Sequence, residues 1–109
     1  LWLMRVKKTF HMLKNMKYRE LNNPSMAFYS MNGCPHCVRA LPEFELGTRN
    51  SGINTVVHEN TTHMGLKAIN DAGVTSFPTI LGKNKNGVHK YNGDRSAESF
   101  AEFARFLKA

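Results

Sequence analysis

The 109-residue chain has two cysteines, one tryptophan and eight acidic residues, and it has no long apolar run. Each shortage excludes something. No stretch reaches the roughly 18 apolar residues of a membrane-spanning helix. The opening Leu1-Trp2-Leu3-Met4 is interrupted at Arg5 and lacks the length of a signal-peptide core. There is no internal repeat and no low-complexity tract, so nothing points to a fibrous or disordered chain. No Gly-rich phosphate loop or regular aromatic interleaving supports a nucleic-acid partner. Two cysteines alone are half of a zinc site at most.

What is present fits one domain. Hydrophobic residues make up 41% of the chain, enough for one core. Fifteen Lys and Arg stand against the eight acids, a net charge of +7. Residues 1–23 hold Arg5, Lys7, Lys8, Lys14, Lys17 and Arg19 against Glu20, six positive against one negative, so +5 of the +7 lies there. The rest of the chain is only mildly basic. Such a lead reads first as a solvated helix face, and it is compatible with contact at an anionic membrane surface.

The spacing of apolar residues predicts a strand over 1–6 and then a helical stripe from Phe10, Leu13 and Met16. Asn22-Asn23-Pro24-Ser25 stops it. Residues 26–31 read as a buried strand. Asn32-Gly33 turns, and Cys34-Pro35 opens a helix with Val38, Leu41 and Phe44 or Glu45 as its apolar face and Pro42 as a kink. A strand over 53–58 and a helix over 63–72 follow, the helix with Leu66, Ile69 and Ala72 as its apolar set and Gly73 just past its end. Thr79-Ile80-Leu81 and Val88-His89-Lys90-Tyr91 form strands joined by the turn Asn84-Lys85-Asn86-Gly87. Ser96 caps a last helix whose stripe is Phe100, Phe103, Phe106 and Leu107. Strands alternating with helices predict an α/β fold: a mixed, partly parallel sheet of four to five strands, with an antiparallel hairpin at one edge. Residues 1–23 are expected to be a basic strand and helix of the same domain, and 24–109 its core.

Both cysteines sit at a strand-to-helix junction, two residues apart. Cys34-Pro35-His36-Cys37 is the Cys-x-x-Cys redox pattern in a βαβ setting. On the first turn of a helix, positions i and i+3 share a face, so the two sulfurs can bond. The unpaired N–H groups and dipole at the helix start favour a thiolate at Cys34. That makes Cys34 the nucleophile and Cys37 the resolving thiol. His36 offers a positive charge or hydrogen bond nearby. A zinc site completed by His36, His58, His63 or His89 lacks tight ligand spacing. A structural disulfide would close too short a loop to restrict the unfolded chain much.

These residues resemble a known family. Phe28-Tyr29, Gly33-Cys34-Pro35-His36-Cys37 and Leu41-Pro42-Glu43-Phe44-Glu45 are similar to the active-site segment of thioredoxins and protein disulfide isomerase domains. Gly73-Val74-Thr75-Ser76-Phe77-Pro78-Thr79 resembles the family's cis-proline loop. Tyr91-Asn92-Gly93-Asp94-Arg95, with Phe100 and Phe103, resembles the tail of disulfide isomerase domains. The resemblance covers about residues 24–109. It implies the thioredoxin fold and exchange of disulfides with protein substrates. It implies a redox partner, a reductase or glutathione, and no cofactor beyond the Cys34–Cys37 pair. It also implies that Pro78 is cis and faces Cys34, that Phe77 pairs its backbone with a substrate strand, and that Gly93 leaves room for that strand. A monomer is expected.

The chain departs from the family at two places. Gly33 stands where the family usually has Trp. Met26, Ala27 and Phe28 leave no carboxylate in the strand below Cys37, so proton transfer is expected to use water, His58 or Glu59. The Pro35-His36 pair also resembles that of strongly oxidising periplasmic thiol oxidases, which implies a low Cys34 pKa. Two alternatives from other classes are a peptide-binding module built on Phe77 and Pro78, and a metal- or cluster-binding dimer. An exchangeable pair works in cytosol, secretory compartment or periplasm, so the pattern sets no location.

Overall fold

The computed structural model describes residues 23–109. The strand expected over 1–6 and the stripe of Phe10, Leu13 and Met16 lie outside the described residues. In chain order the elements are β1 (Ser25–Ser30), α1 (Pro35–Thr48), β2 (Asn54–Glu59), α2 (His63–Ala72), β3 (Thr79–Asn84), β4 (Gly87–Lys90) and α3 (Ala97–Lys108).

The four described strands form one mixed sheet in the order β2-β1-β3-β4. β1 runs parallel to β2, with Phe28 opposite Val57. It runs antiparallel to β3, with Phe28 opposite Ile80. β3 and β4 make the predicted hairpin, Asn84 opposite Gly87. The two turn residues, Lys85 and Asn86, keep negative φ, and Gly87, the first residue of β4, takes φ 119°, a value that glycine reaches without strain. The buried Asn84 side chain fastens this corner. Its Nδ2 donates to the Leu107 carbonyl at 3.3 Å, and its Oδ1 accepts from Asn86 N–H at 2.9 Å and pairs with His89 Nε2 at 3.0 Å.

The core lies between one sheet face and the pair α1 and α3. Met26 and Phe28 of β1 and Ile80 of β3 meet Phe44 of α1 and Phe100, Ala104 and Leu107 of α3. Phe44 packs on Phe28 at 5.2 Å and edge-on to Phe100 at 5.7 Å, an arrangement favoured by the ring quadrupoles. The α1–α3 contact is polar as well: Glu43 Oε2 accepts the Ala97 N–H at 2.8 Å, which satisfies an orphan donor at the start of α3. α2 packs against β2, capped by Thr62 at its start and by Gly73 in the left-handed conformation at its end.

Three expected faces differ from the observed ones. α1 buries Cys37, Ala40, Phe44 and Thr48, while Val38 is 70% exposed and Leu41 is half-buried. The inward face mixes small residues with one large ring, Phe44, and the helix packs closely on α3. In α2 only Gly65 and Ile69 are buried, and Leu66 is exposed. α3 buries Phe100, Ala104 and Leu107, half-buries Phe103 and exposes Phe106, whose ring stands edge-on against His89. Pro42 sits inside α1, which runs unbroken from Pro35 to Thr48.

Candidate active site

The cysteine pair sits where β1 hands the chain to α1. Gly33, with φ 80°, occupies the left-handed region that lets the chain turn sharply before the helix. Two hydrogen bonds fix this loop: Cys34 N–H to the Met31 carbonyl at 3.2 Å, and Asn32 N–H to Asn60 Oδ1 at 2.7 Å. Asn60, just past β2, is a positioning residue that sequence patterns do not find, because it acts across 28 residues.

Cys34 is the N-cap of α1, and Pro35 starts the helix with a fixed φ and no donor to waste. The Cys34 sulfur accepts the Cys37 backbone N–H at 3.1 Å. A thiol thus takes the place of the usual Ser or Asp cap. Cys34 is half-buried, while Cys37 is 2% exposed and belongs to the core. Both are free thiols.

The two sulfurs are pushed in opposite directions. Cys34 is held below the ordinary thiol range, first by the hydrogen bond from the Cys37 thiol, then by the backbone N–H groups of Cys37 and His36 and by the charge of Arg95. Burial opposes this without overcoming it. Cys37 is pushed up, first by burial and next by its bond to Cys34; the Met31 backbone and the Ser30 hydroxyl pull the other way. Ser30 is the buried last residue of β1.

His36 acts on Cys34 through its backbone N–H. Its exposed ring is turned to Arg39, whose guanidinium lies 3.1 Å from Nδ1. Across the site, the Phe77–Pro78 peptide is cis. The Phe77 carbonyl accepts from the Cys34 thiol at 3.9 Å, so this loop and the cysteine face each other. Phe77 is half-buried and Pro78 buried. Gly93 is exposed and lines a cleft of about 250 Å³ beside Pro78. Its close neighbour is Tyr91: a Cβ at Gly93 would run into the Tyr91 hydroxyl and stand 2.7 Å from its Cζ. Tyr91 in turn donates its hydroxyl to the Asp94 carbonyl and packs on Phe100 at 5.0 Å.

His58 and Glu59, two of the groups expected to handle a proton, stand at the end of β2. His58 lies against Tyr29 at 5.2 Å, and Glu59 is exposed and accepts from Thr61. Among the described residues, no three His, Cys, Asp or Glu side chains gather as a metal site would need. None of the described helices is long and apolar enough to cross a membrane.

No family model matches the chain, and no curated protein does. Solved structures do. The first thioredoxin fragment of ERdj5, with its J domain, is 22% identical with TM-score 0.69, covering 84% of this chain and 47% of that one. The zinc-bound form of human ERp44 is 14% identical with TM-score 0.69, covering 85% and 29%. The first two thioredoxin domains of Eps1p from Naumovozyma dairenensis are 20% identical with TM-score 0.64, covering 78% and 35%. The chain thus spans less than half the length of each. With this sheet order, the cysteine pair at the head of α1 and these neighbours, the chain has the thioredoxin fold.

Proposed function

We propose that the protein is a thiol–disulfide oxidoreductase acting on protein thiols and disulfides. The observation that carries this reading is the half-buried Cys34 sulfur, capping α1 and facing the Phe77 carbonyl across the Pro78 loop. A thiolate is favoured there by fixed N–H groups. In the forward step it attacks a substrate disulfide; one S–S bond forms at Cys34 and the substrate's breaks, releasing a thiolate. Cys37 then attacks the Cys34 sulfur, closes the Cys34–Cys37 disulfide and releases the second substrate thiol. The two sulfurs themselves carry the electron pair, so the chemistry calls on no bound cofactor. An external thiol, from a reductase or glutathione, returns the pair to its reduced state. The protein acts as a monomer, and Phe77 offers its backbone to an extended substrate segment.

The test is trapping. Cys37→Ser, mixed with an oxidised model protein, should accumulate a disulfide-linked adduct at Cys34 that dithiothreitol removes; the wild type should turn over without accumulating it. No adduct with Cys37→Ser would sink the reading. Equilibration in glutathione buffers then sets the direction. A potential near about −270 mV means a reductase, and one between about −120 and −200 mV means a donor of disulfides.

A further inference from the structure

The cleft beside Pro78 has a chemical character of its own. Its volume of about 250 Å³ suits a single residue rather than a whole ligand. Two cations line it, Lys90 from the end of β4 and Arg95 from the loop before α3, and no carboxylate does. Asp94, next to Arg95 in sequence, is turned away: its Oδ1 accepts the Ser96 N–H at 3.0 Å and the Ser96 hydroxyl at 2.6 Å. Among the described residues the ion pair is Lys67 with Asp71 on α2, so neither Lys90 nor Arg95 is neutralised by a partner there. Both are exposed.

The cleft also lies beside the reacting sulfur. Pro78 on its wall follows Phe77, whose carbonyl faces Cys34. The charge of Arg95 reaches far enough to act on the Cys34 thiol. Cys34 and Phe77 do not themselves line the cleft, so the part of a bound substrate that meets it is a group a residue or two away from the sulfur joined to Cys34. A guanidinium fork and an ammonium without acidic partners suit a carboxylate.

We propose that this cleft is a carboxylate subsite, through which Lys90 and Arg95 favour disulfide substrates bearing a negative charge within a residue or two of the reacting sulfur. This rests on the thiol–disulfide reading of the cysteine pair and adds its substrate preference. The preferred reaction takes one oxidised peptide disulfide and the reduced pair to two peptide thiols and the Cys34–Cys37 disulfide.

Three small disulfides test it: glutathione disulfide with its carboxylates, the neutral bis(2-hydroxyethyl) disulfide, and cystamine with its two ammonium groups. Second-order rates with the reduced full chain are measured by stopped flow. Any change in Cys34 nucleophilicity affects all three alike, so the readout is the rate ratio of glutathione disulfide to the neutral probe. Arg95→Gln and Lys90→Gln should each lower that ratio about threefold, and the double variant about tenfold, the scale of two exposed ion pairs. The wild-type ratio should fall as salt rises. Lys67→Gln, which removes one charge elsewhere on the surface, should leave the ratio unchanged. An unchanged ratio in the double variant, or an equal drop in Lys67→Gln, overturns the subsite but leaves the redox reading standing. No reaction with any of the three disulfides overturns both.

Discussion

Gly47 lies where α1 crosses α3, and replacing it with Ala should loosen that crossing. A Cβ there would run into the carbonyl oxygen of Ala97 and stand 3.0 Å from the Phe100 Cβ. The obstacle is backbone in the first turn of α3, so one helix must move. Moving it also strains the Glu43–Ala97 hydrogen bond, one turn earlier on α1. Overpacking costs about 1–3 kcal/mol, and loss of the hydrogen bond adds about 0.5–1.5 kcal/mol. Ala gains about 0.5–1 kcal/mol over Gly in a helix. The net loss is about 1–3 kcal/mol, because the helix-propensity gain is smaller than the packing loss. At about 4–8 °C per kcal/mol for a domain of this size, the melting temperature should fall by roughly 5–20 °C. Gly82 on β3 is the control. A Cβ there stands 2.6 and 2.8 Å from the Leu107 methyls and 2.8 Å from the Phe103 ring edge. Those are side-chain ends rather than backbone, and they yield more cheaply than a helix, so Gly82→Ala should cost less than Gly47→Ala. Thermal unfolding followed by circular dichroism compares the two. If Gly47→Ala is no worse than Gly82→Ala, the distinction between backbone and side-chain obstacles fails here.

Two further predictions concern titration. Alkylation of Cys34 by iodoacetamide should reach half its maximal rate below the ordinary thiol value of about 8.5, and Cys37→Ala, which removes the first-ranked donor, should raise that midpoint; a wild-type midpoint at or above it refutes the assignment. Asp94 is held below the ordinary carboxylate range, first by the Ser96 hydroxyl. Its folded-state value is lowered, so its stabilisation is present above about 3.9 and is lost as pH falls through the folded value. Asp94→Asn should therefore lower the melting temperature at pH 7 and lose that effect in strong acid; a constant difference across that range would contradict the linkage.

The parts of the fold that were legible in the sequence are those governed by local chemistry. Asn84–Gly87 reads as a hairpin turn because of its glycine, Ser96 sits at a helix start, and Gly73 ends α2 in the left-handed conformation that glycine adopts without strain. The inward face of α1 was harder. Its apolar residues are sparse and the period points to Val38 and Leu41, but the buried positions between them and further along are Cys37, Ala40, Phe44 and Thr48. In the stripe on α3, Phe106 fits the period yet covers His89 at the sheet edge, where water reaches it. The site divides the same way. Cys34 and Cys37 are adjacent in sequence and visible at once. Asn60 comes to the site from just past β2, and Lys90 and Arg95 to the cleft beside it from β4 and the loop before α3, and no spacing rule connects them to the pair; Ser30 is four residues before Cys34, but nothing in its local pattern marks it.

One turn of helix is enough to divide the labour between the two sulfurs. Cys34, at the cap, meets donors that favour its charge; Cys37, three residues on, is inside the core, where burial opposes charge. In thiol–disulfide exchange this sets the order, since the thiolate that is both formed and accessible attacks first. The resolving step then needs Cys37 to lose a proton. Besides Cys34, the groups acting on it are the Ser30 hydroxyl and the Met31 backbone, and neither takes up a proton near neutral pH. They steady the Cys37 thiolate once formed, as donors, without serving as its base. On this reading the proton passes to water or to the departing substrate thiolate, and forming the mixed disulfide removes the Cys34 negative charge that had opposed ionisation of Cys37. In the proposed exchange the first bond thus prepares the second: attack by Cys34 removes one of the influences that hold Cys37 protonated, and burial is the larger one left to overcome.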